Sequence, residues 1–197
     1  MATYQRRQSV LWTQRVIVLA VLIGLIWGII ALIGFIGGLI SGGSSQAQPT
    51  MKPGDPCQPQ QIKVESFVGT SKQQNQLAFN PGDNPYFWFR ITNTGTVECT
   101  FNVGTSGSYY FVKSGSESIW SSKDCNLDVK REDLLMLLSP NDPVTSGASD
   151  WQRVRSSSSG CAIKDGQPAV TADGASYLMH AEVNGVISEN TVQFVLN

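Results

Sequence analysis

Ala175-Ser-Tyr-Leu-Met-His-Ala-Glu-Val183, followed by Asn184-Gly185 and then Val186-Ile-Ser-Glu-Asn-Thr-Val-Gln-Phe-Val-Leu196, decides the fold class. Successive side chains of a strand point to opposite faces, and both runs alternate in that way. In the first, Tyr177 and Val183 share a face while His180 lies on the other. In the second, Val186, Ser188, Asn190, Val192, Phe194 and Leu196 share one face, and the last three are expected to pack inward. Asn-Gly tolerates the positive φ angles of a type I′ turn, so the pair predicts a two-residue β-hairpin.

Working backwards, Gln61 to Val68 alternates, and Tyr86 to Thr92 puts Phe87, Phe89 and Ile91 on one face. Thr100 to Val103, Tyr109 to Lys113 and Ser118 to Ser121 are further short segments rich in aromatic and β-branched residues. Turn signals punctuate them at Asn80-Pro-Gly-Asp83, Asn93-Thr-Gly95, Gly104 to Ser108 and Lys113-Ser-Gly115. This pattern predicts an all-β sandwich over residues 57–197. Lys130 to Leu138 fits a strand or a short helix, since periodicity does not separate them at this length. It is read here as a strand.

The segment ahead of this domain is different in kind. Charged residues are 15% of the chain, against about 25% in soluble domains, and Val16 to Ile40 has none. As a helix these 25 residues would extend about 37 Å, enough to cross a hydrocarbon core about 30 Å thick. Arg6, Arg7 and Arg15 precede the run, and no basic residue follows it before Lys52. The asymmetry predicts a cytoplasmic N-terminus (1–15), one transmembrane helix (16–40), a Gly/Ser/Pro-rich flexible linker (41–56) and an extracytoplasmic domain (57–197). Ser45-Gln46-Ala47 has the small residues a signal peptidase requires, but the apolar run far exceeds a signal-peptide core, so retention is expected. Ala20, Gly24, Gly28 and Ala31 line one helix face. Small residues there admit a second transmembrane helix, which makes a membrane protein the expected partner besides the lipid bilayer. This organisation excludes a wholly cytosolic globular protein and a polytopic one.

All four cysteines, Cys57, Cys99, Cys125 and Cys161, lie in the domain assigned to the oxidising side, which predicts two disulfides. Three connectivities are open, and spacing alone does not choose among them. Pairing Cys99 with Cys125 closes a 27-residue loop, worth ~3 to 4 kcal/mol by chain entropy. It leaves Cys57 for Cys161.

Cys57, Phe79-Asn-Pro-Gly82, Ile91-Thr-Asn-Thr-Gly95, Cys99-Thr-Phe-Asn-Val-Gly104 and Ile119-Trp-Ser-Ser-Lys-Asp-Cys125 together resemble a family of actinobacterial envelope proteins. Trp151 and Ser156-Ser-Ser-Ser-Gly-Cys161 extend the resemblance, and Tyr177 in the closing hairpin completes it. Members of that family carry one N-terminal anchor and an immunoglobulin-like extracytoplasmic domain. The resemblance implies the same fold here, supports the Cys99–Cys125 and Cys57–Cys161 pairing, and brings no catalytic residues.

Chemistry-bearing motifs are scarce. The single histidine, His180, sits on a strand, and no nucleophile elbow, P-loop, dinucleotide fingerprint or zinc spacing is present. No catalytic residue, cofactor or metal site is expected. Asp124, Asp128, Glu132 and Asp133 alternate with Lys123, Lys130 and Arg131, which reads as a solvated loop of compensating charge. A net charge of −1 without a basic block gives no footprint for nucleic acid. Beyond the apolar run, 11 basic residues stand against 15 acidic ones, leaving −4. Trp88 and Trp120 are expected in the core, while Tyr109 and Tyr110 are the candidate interaction surface. The expected role is a non-enzymatic binding or accessory module of a larger membrane complex, respiratory, secretory or cell-wall-building. The alternative is a free-standing binder or sensor of cell-wall or host molecules.

Overall fold

The computed structural model describes residues 51–197 together with Gly24 and Leu25, which are helical and exposed. The expected membrane segment, with Ala20, Gly28 and Ala31, otherwise lies outside the described residues, as does the linker up to residue 50.

Residues 51–197 are all-β, and their strands form two main sheets and a ribbon. In the first sheet β1 (Ile62–Gly69) runs antiparallel to β3 (Tyr86–Asn93), with Val64 opposite Ile91 and Val68 opposite Phe87. Two short strands, β8 (Val144–Thr145) and β9 (Ser149–Asp150), line the other edge of β3. The second sheet has the order β2-β12-β10-β5-β6. Along this path lie β2 (Ala78–Phe79), β5 (Ser108–Ser114), β6 (Glu117–Ser121), β10 (Ala175–Val183) and β12 (Val192–Leu196), and a sixth strand, β11 (Val186–Ile187), pairs with β10. β4 (Cys99–Asn102) and β7 (Leu135–Leu138) form a separate antiparallel ribbon, and the sheets do not close into a barrel.

Alternation explains which face each strand buries. Val64 and Val68 of β1, Phe87, Phe89 and Ile91 of β3, and Tyr177, Met179, Ala181 and Val183 of β10 all enter one core. Phe87 lies at its centre. Its ring centroid is 6.0 Å from those of Tyr110, Trp120 and Trp151, and 5.9 Å from that of Phe194. Such clusters combine a large buried area with tilted and edge-on ring geometry, each pair adding about 0.5 to 1.5 kcal/mol.

The closing hairpin forms as read. Asn184 and Gly185 take φ of 47° and 81°, and Val183 faces Val186 across the turn. Its second arm is not continuous, however. β11 (Val186–Ile187) ends after two residues, and pairing with β10 resumes only at β12. The interruption has a cause in the polar residues between. The Asn190 side chain crosses to the first sheet, accepting from Ser66 N (2.7 Å) and donating to Ser66 O (2.8 Å). Ser66 Oγ and Ser188 Oγ both accept from Ala181 N, at 2.9 and 3.2 Å. A buried polar knot therefore ties β1 to β10 across the two sheets. The segment Lys130 to Leu138 is a strand only over its last four residues, Leu135–Leu138.

Two disulfides are present, but their connectivity corrects the expectation: Cys57 joins Cys99 and Cys125 joins Cys161, each with Cα atoms 4.9 Å apart. Loop length did not govern the choice because the incoming chain runs alongside β4. Gly54 N donates to Glu98 O (3.2 Å), Thr100 N to Asp55 O (2.9 Å) and Cys57 N to Thr100 O (2.9 Å). This lacing sets Cys57 against Cys99. Cys125, just beyond β6, meets instead the serine-rich loop that carries Cys161.

Candidate functional site

Three of the segments singled out in the sequence, Ile119 to Cys125, Trp151 and Ser156 to Cys161, meet around this second disulfide, whereas Cys57 and Cys99 form the other one. β6 delivers Trp120 inward and Ser121 outward, and a short turn over Ser122–Asp124 then leads to Cys125. The serine-rich loop clasps this corner. Ser156 N donates to Ile119 O (3.1 Å), Ser121 N donates to Ser156 Oγ (2.8 Å), and Ser156 Oγ donates to the Asp124 carboxylate. Beneath them Trp151 is fully buried, its Nε1 donating to Val154 O at 2.9 Å. Trp120 is buried beside it, and its Nε1 has no hydrogen-bond partner among the described residues.

Arg131 organises the other side of the corner. Its guanidinium donates to the carbonyls of Ser122 (2.9 Å), Lys123 (3.0 Å), Cys125 (3.1 Å) and Thr105 (3.3 Å). The planar fork of arginine suits such convergent bonding. The neighbouring acids are engaged as well. The hydroxyl of Ser106 and the amide of Asn102 hold the Asp133 carboxyl below its usual range. The charged run expected to be solvated is thus partly a bonded scaffold. Cancelling charges in the sequence gave no signal of it; the free carbonyls of a turn ahead of an arginine were the available hint.

Between these loops lies a cleft of about 390 Å³, walled by Trp120, Arg131, Asp150, Gln152, Lys164 and the Cys125–Cys161 bridge. A smaller one of about 170 Å³ shares Cys161 and Lys164 with it. Hydroxyl, amide and charged groups of both signs suit a polar ligand. Among the described residues no group of three or more His, Cys, Asp or Glu is placed to hold a metal ion.

The two tyrosines separate. Tyr109 lies half-buried on the outer face of β5, its ring flanked by Lys123 Nζ at 4.6 Å and the Arg131 guanidinium at 5.0 Å. Tyr110 is no surface residue: it is 7% exposed, packs on Phe87 and Phe89, and burial pushes its hydroxyl pKa up to about 12. Adjacent strand residues face opposite ways, so a Tyr-Tyr pair cannot present both rings on one side. Trp120 is in the core as expected. Trp88 is buried too, but on the opposite face of β3, stacked on Phe67 at 5.7 Å. His180 lies on the outer face of β10, stacked on Phe111 at 4.9 Å. Partial burial, aided by the charge of Lys113, lowers its pKa.

No protein-family model matches the chain, and no curated protein matches it. Among solved structures, a β-glucosidase from Erythrobacter marinus is 11% identical with a TM-score of 0.38, over 69% of this chain and 15% of that one. The sporulation control protein Spo0M of Bacillus subtilis is 9% identical with a TM-score of 0.35, over 69% and 49%. The ApaA protein of Bordetella pertussis is 15% identical with a TM-score of 0.34, over 73% and 98%. At these scores the likenesses assign neither fold nor activity.

Proposed function

We propose that the protein is a single-pass envelope protein of the actinobacterial type, with an immunoglobulin-like sandwich held outside the membrane as a non-enzymatic accessory module. The observation that carries this reading is the succession, in one chain, of arginines, a 25-residue uncharged run and a domain with two disulfides. Disulfides persist on the oxidising side of a membrane, and positive charge stays on the cytoplasmic side. Both marks support the same orientation. The small-residue face at Ala20, Gly24, Gly28 and Ala31 supports docking to a transmembrane partner in a respiratory, secretory or cell-wall-building complex.

The test is a mild-detergent pull-down of the tagged full-length protein from its native membrane, beside a version with an unrelated anchor helix. One defined complex that vanishes with the swapped helix is the expected result. If nothing stable co-purifies, the accessory reading fails. The cleft at Cys125–Cys161 supports the second reading, a binder of polar envelope ligands. Gly24→Leu with Gly28→Leu separates the two, since only the accessory role loses complex association.

A further inference from the structure

Among the described residues nine large hydrophobic side chains are exposed, and five of them, Leu127, Val129, Leu134, Leu135 and Leu137, lie in one segment. Within it β7 is two-faced. Leu138 is buried and Met136 packs against the core, whereas Leu135 and Leu137, on the opposite side, are 68% and 53% exposed. Two leucines on the same strand face make a local apolar patch, the kind of surface that docks a partner or a membrane.

The place of this face in the fold says what covers it. Leu137 stands opposite Thr100 on β4, and Thr100 is bridged on its other side to Pro56 of the incoming chain. At about 4.8 Å per strand, Leu137 lies only about 10 Å from the point where the chain joins the domain. Thirteen residues, 41–53, separate the laced segment 54–57 from the end of the apolar run. Even fully extended they span no more than about 47 Å. On the anchored reading, a connection of this length keeps the leucine face within reach of the bilayer, at an effective concentration in the millimolar range. The charge of the segment does not drive the encounter: residues 127–137 carry two cations and three acids, and the Arg131 guanidinium is bonded to backbone carbonyls.

We infer that β7 is a membrane-resting strand, its Leu135 and Leu137 seated in the interfacial layer of the lipid bilayer that anchors the chain. The inference rests on the anchored reading above. It makes the domain lie against the membrane instead of standing away from it, and it gives the contact an apolar, salt-insensitive character.

The experiment uses the full-length chain, one copy per nanodisc of phosphatidylcholine, and follows amide hydrogen exchange before and after cleavage at a protease site placed within residues 41–50. The expected result is that peptides covering residues 134–138 exchange about fivefold or more slowly while tethered. The slowing should persist at high salt and disappear in Leu135→Ser/Leu137→Ser, with β10 exchange unchanged as the control for folding. Equal exchange before and after cleavage overturns the inference while leaving the anchor intact. Protection that requires two copies per disc, or native membrane proteins, also overturns it and assigns the face to a second copy or a protein partner. Failure of the chain to enter discs overturns both this inference and the anchored reading.

Discussion

Replacing Asn190 by alanine tests how the two sheets are held together. The side chain of Asn190 does for Ser66 what a neighbouring strand would do, accepting one bond from its N–H and donating one to its carbonyl. Ser66 is 1% exposed, so water cannot take over both bonds without opening the structure. Two hydrogen bonds at about 1 kcal/mol each, plus about 1 to 3 kcal/mol for stranding buried polar groups, place the cost at about 3 to 5 kcal/mol. For a chain of this size that is a fall of roughly 10 °C in Tm. The assay is urea and thermal unfolding of the full-length protein with disulfides intact, followed by tryptophan fluorescence. Thr191→Ala, an exposed neighbour, is the control. Ser66→Ala should cost less, about 1 kcal/mol, because Ala181 N keeps Ser188 Oγ as an acceptor. An Asn190→Ala protein within about 0.5 kcal/mol of the parent would refute the reasoning, since surface substitutions alone reach that.

Other outcomes follow from the same geometry. A non-reducing digest should yield one peptide pair joined through Cys57 and Cys99 and another through Cys125 and Cys161, with no Cys99–Cys125 species. Removing either bridge by double alanine substitution should cost about 4 kcal/mol by chain entropy. Loss of the Cys57–Cys99 pair should cost the more in urea unfolding, because Cys99 is fully buried and its truncation also leaves a void. Gly104→Ala would bring a Cβ within 2.3 Å of Glu132 O and 2.4 Å of Leu134 N. Those are backbone atoms that cannot swing away, so a loss of about 2 to 3 kcal/mol is expected in the same assay. Burial and Lys113 depress the His180 pKa below its ordinary 6.5. The unfolded chain therefore takes up the proton first as the pH falls. Stability from neutral His180 is present above the unfolded pKa and lost as acid is added, so His180→Gln should flatten the stability profile between about pH 7 and pH 5.

What the sequence displayed was the short-range part of this fold. Phe87, Phe89 and Ile91 announce a buried strand face within five residues, and Asn184-Gly185 announces its turn in two. Both depend on backbone geometry that neighbouring residues settle between themselves. The Ser66–Asn190 bond spans 124 positions, and nothing in either residue's surroundings marks the other. Disulfide connectivity failed for a related reason. Loop entropy changes slowly with length, so it could not compete with the parallel lacing of residues 54–57 on β4, which only the folded arrangement reveals. At the candidate cleft, Trp120 and the two cysteines were legible as motif residues, while Arg131 was hidden in a run whose charges cancel. The leucines of β7 fall in a segment read as a strand, but the sequence does not say that only one of its faces is covered.

The lacing of the incoming chain on β4 also has a mechanical meaning. Tension arriving from the N-terminal side can peel away only Met51 to Pro56 before it reaches the covalent stop at Cys57. From there the load passes to Cys99, which is fully buried and set in β4. Such a pull is thus delivered to the interior of the domain instead of unzipping β1 from its edge. Reducing this one bridge would move the point of attachment to the first hydrogen bonds of that strand, turning a locked joint into a zipper.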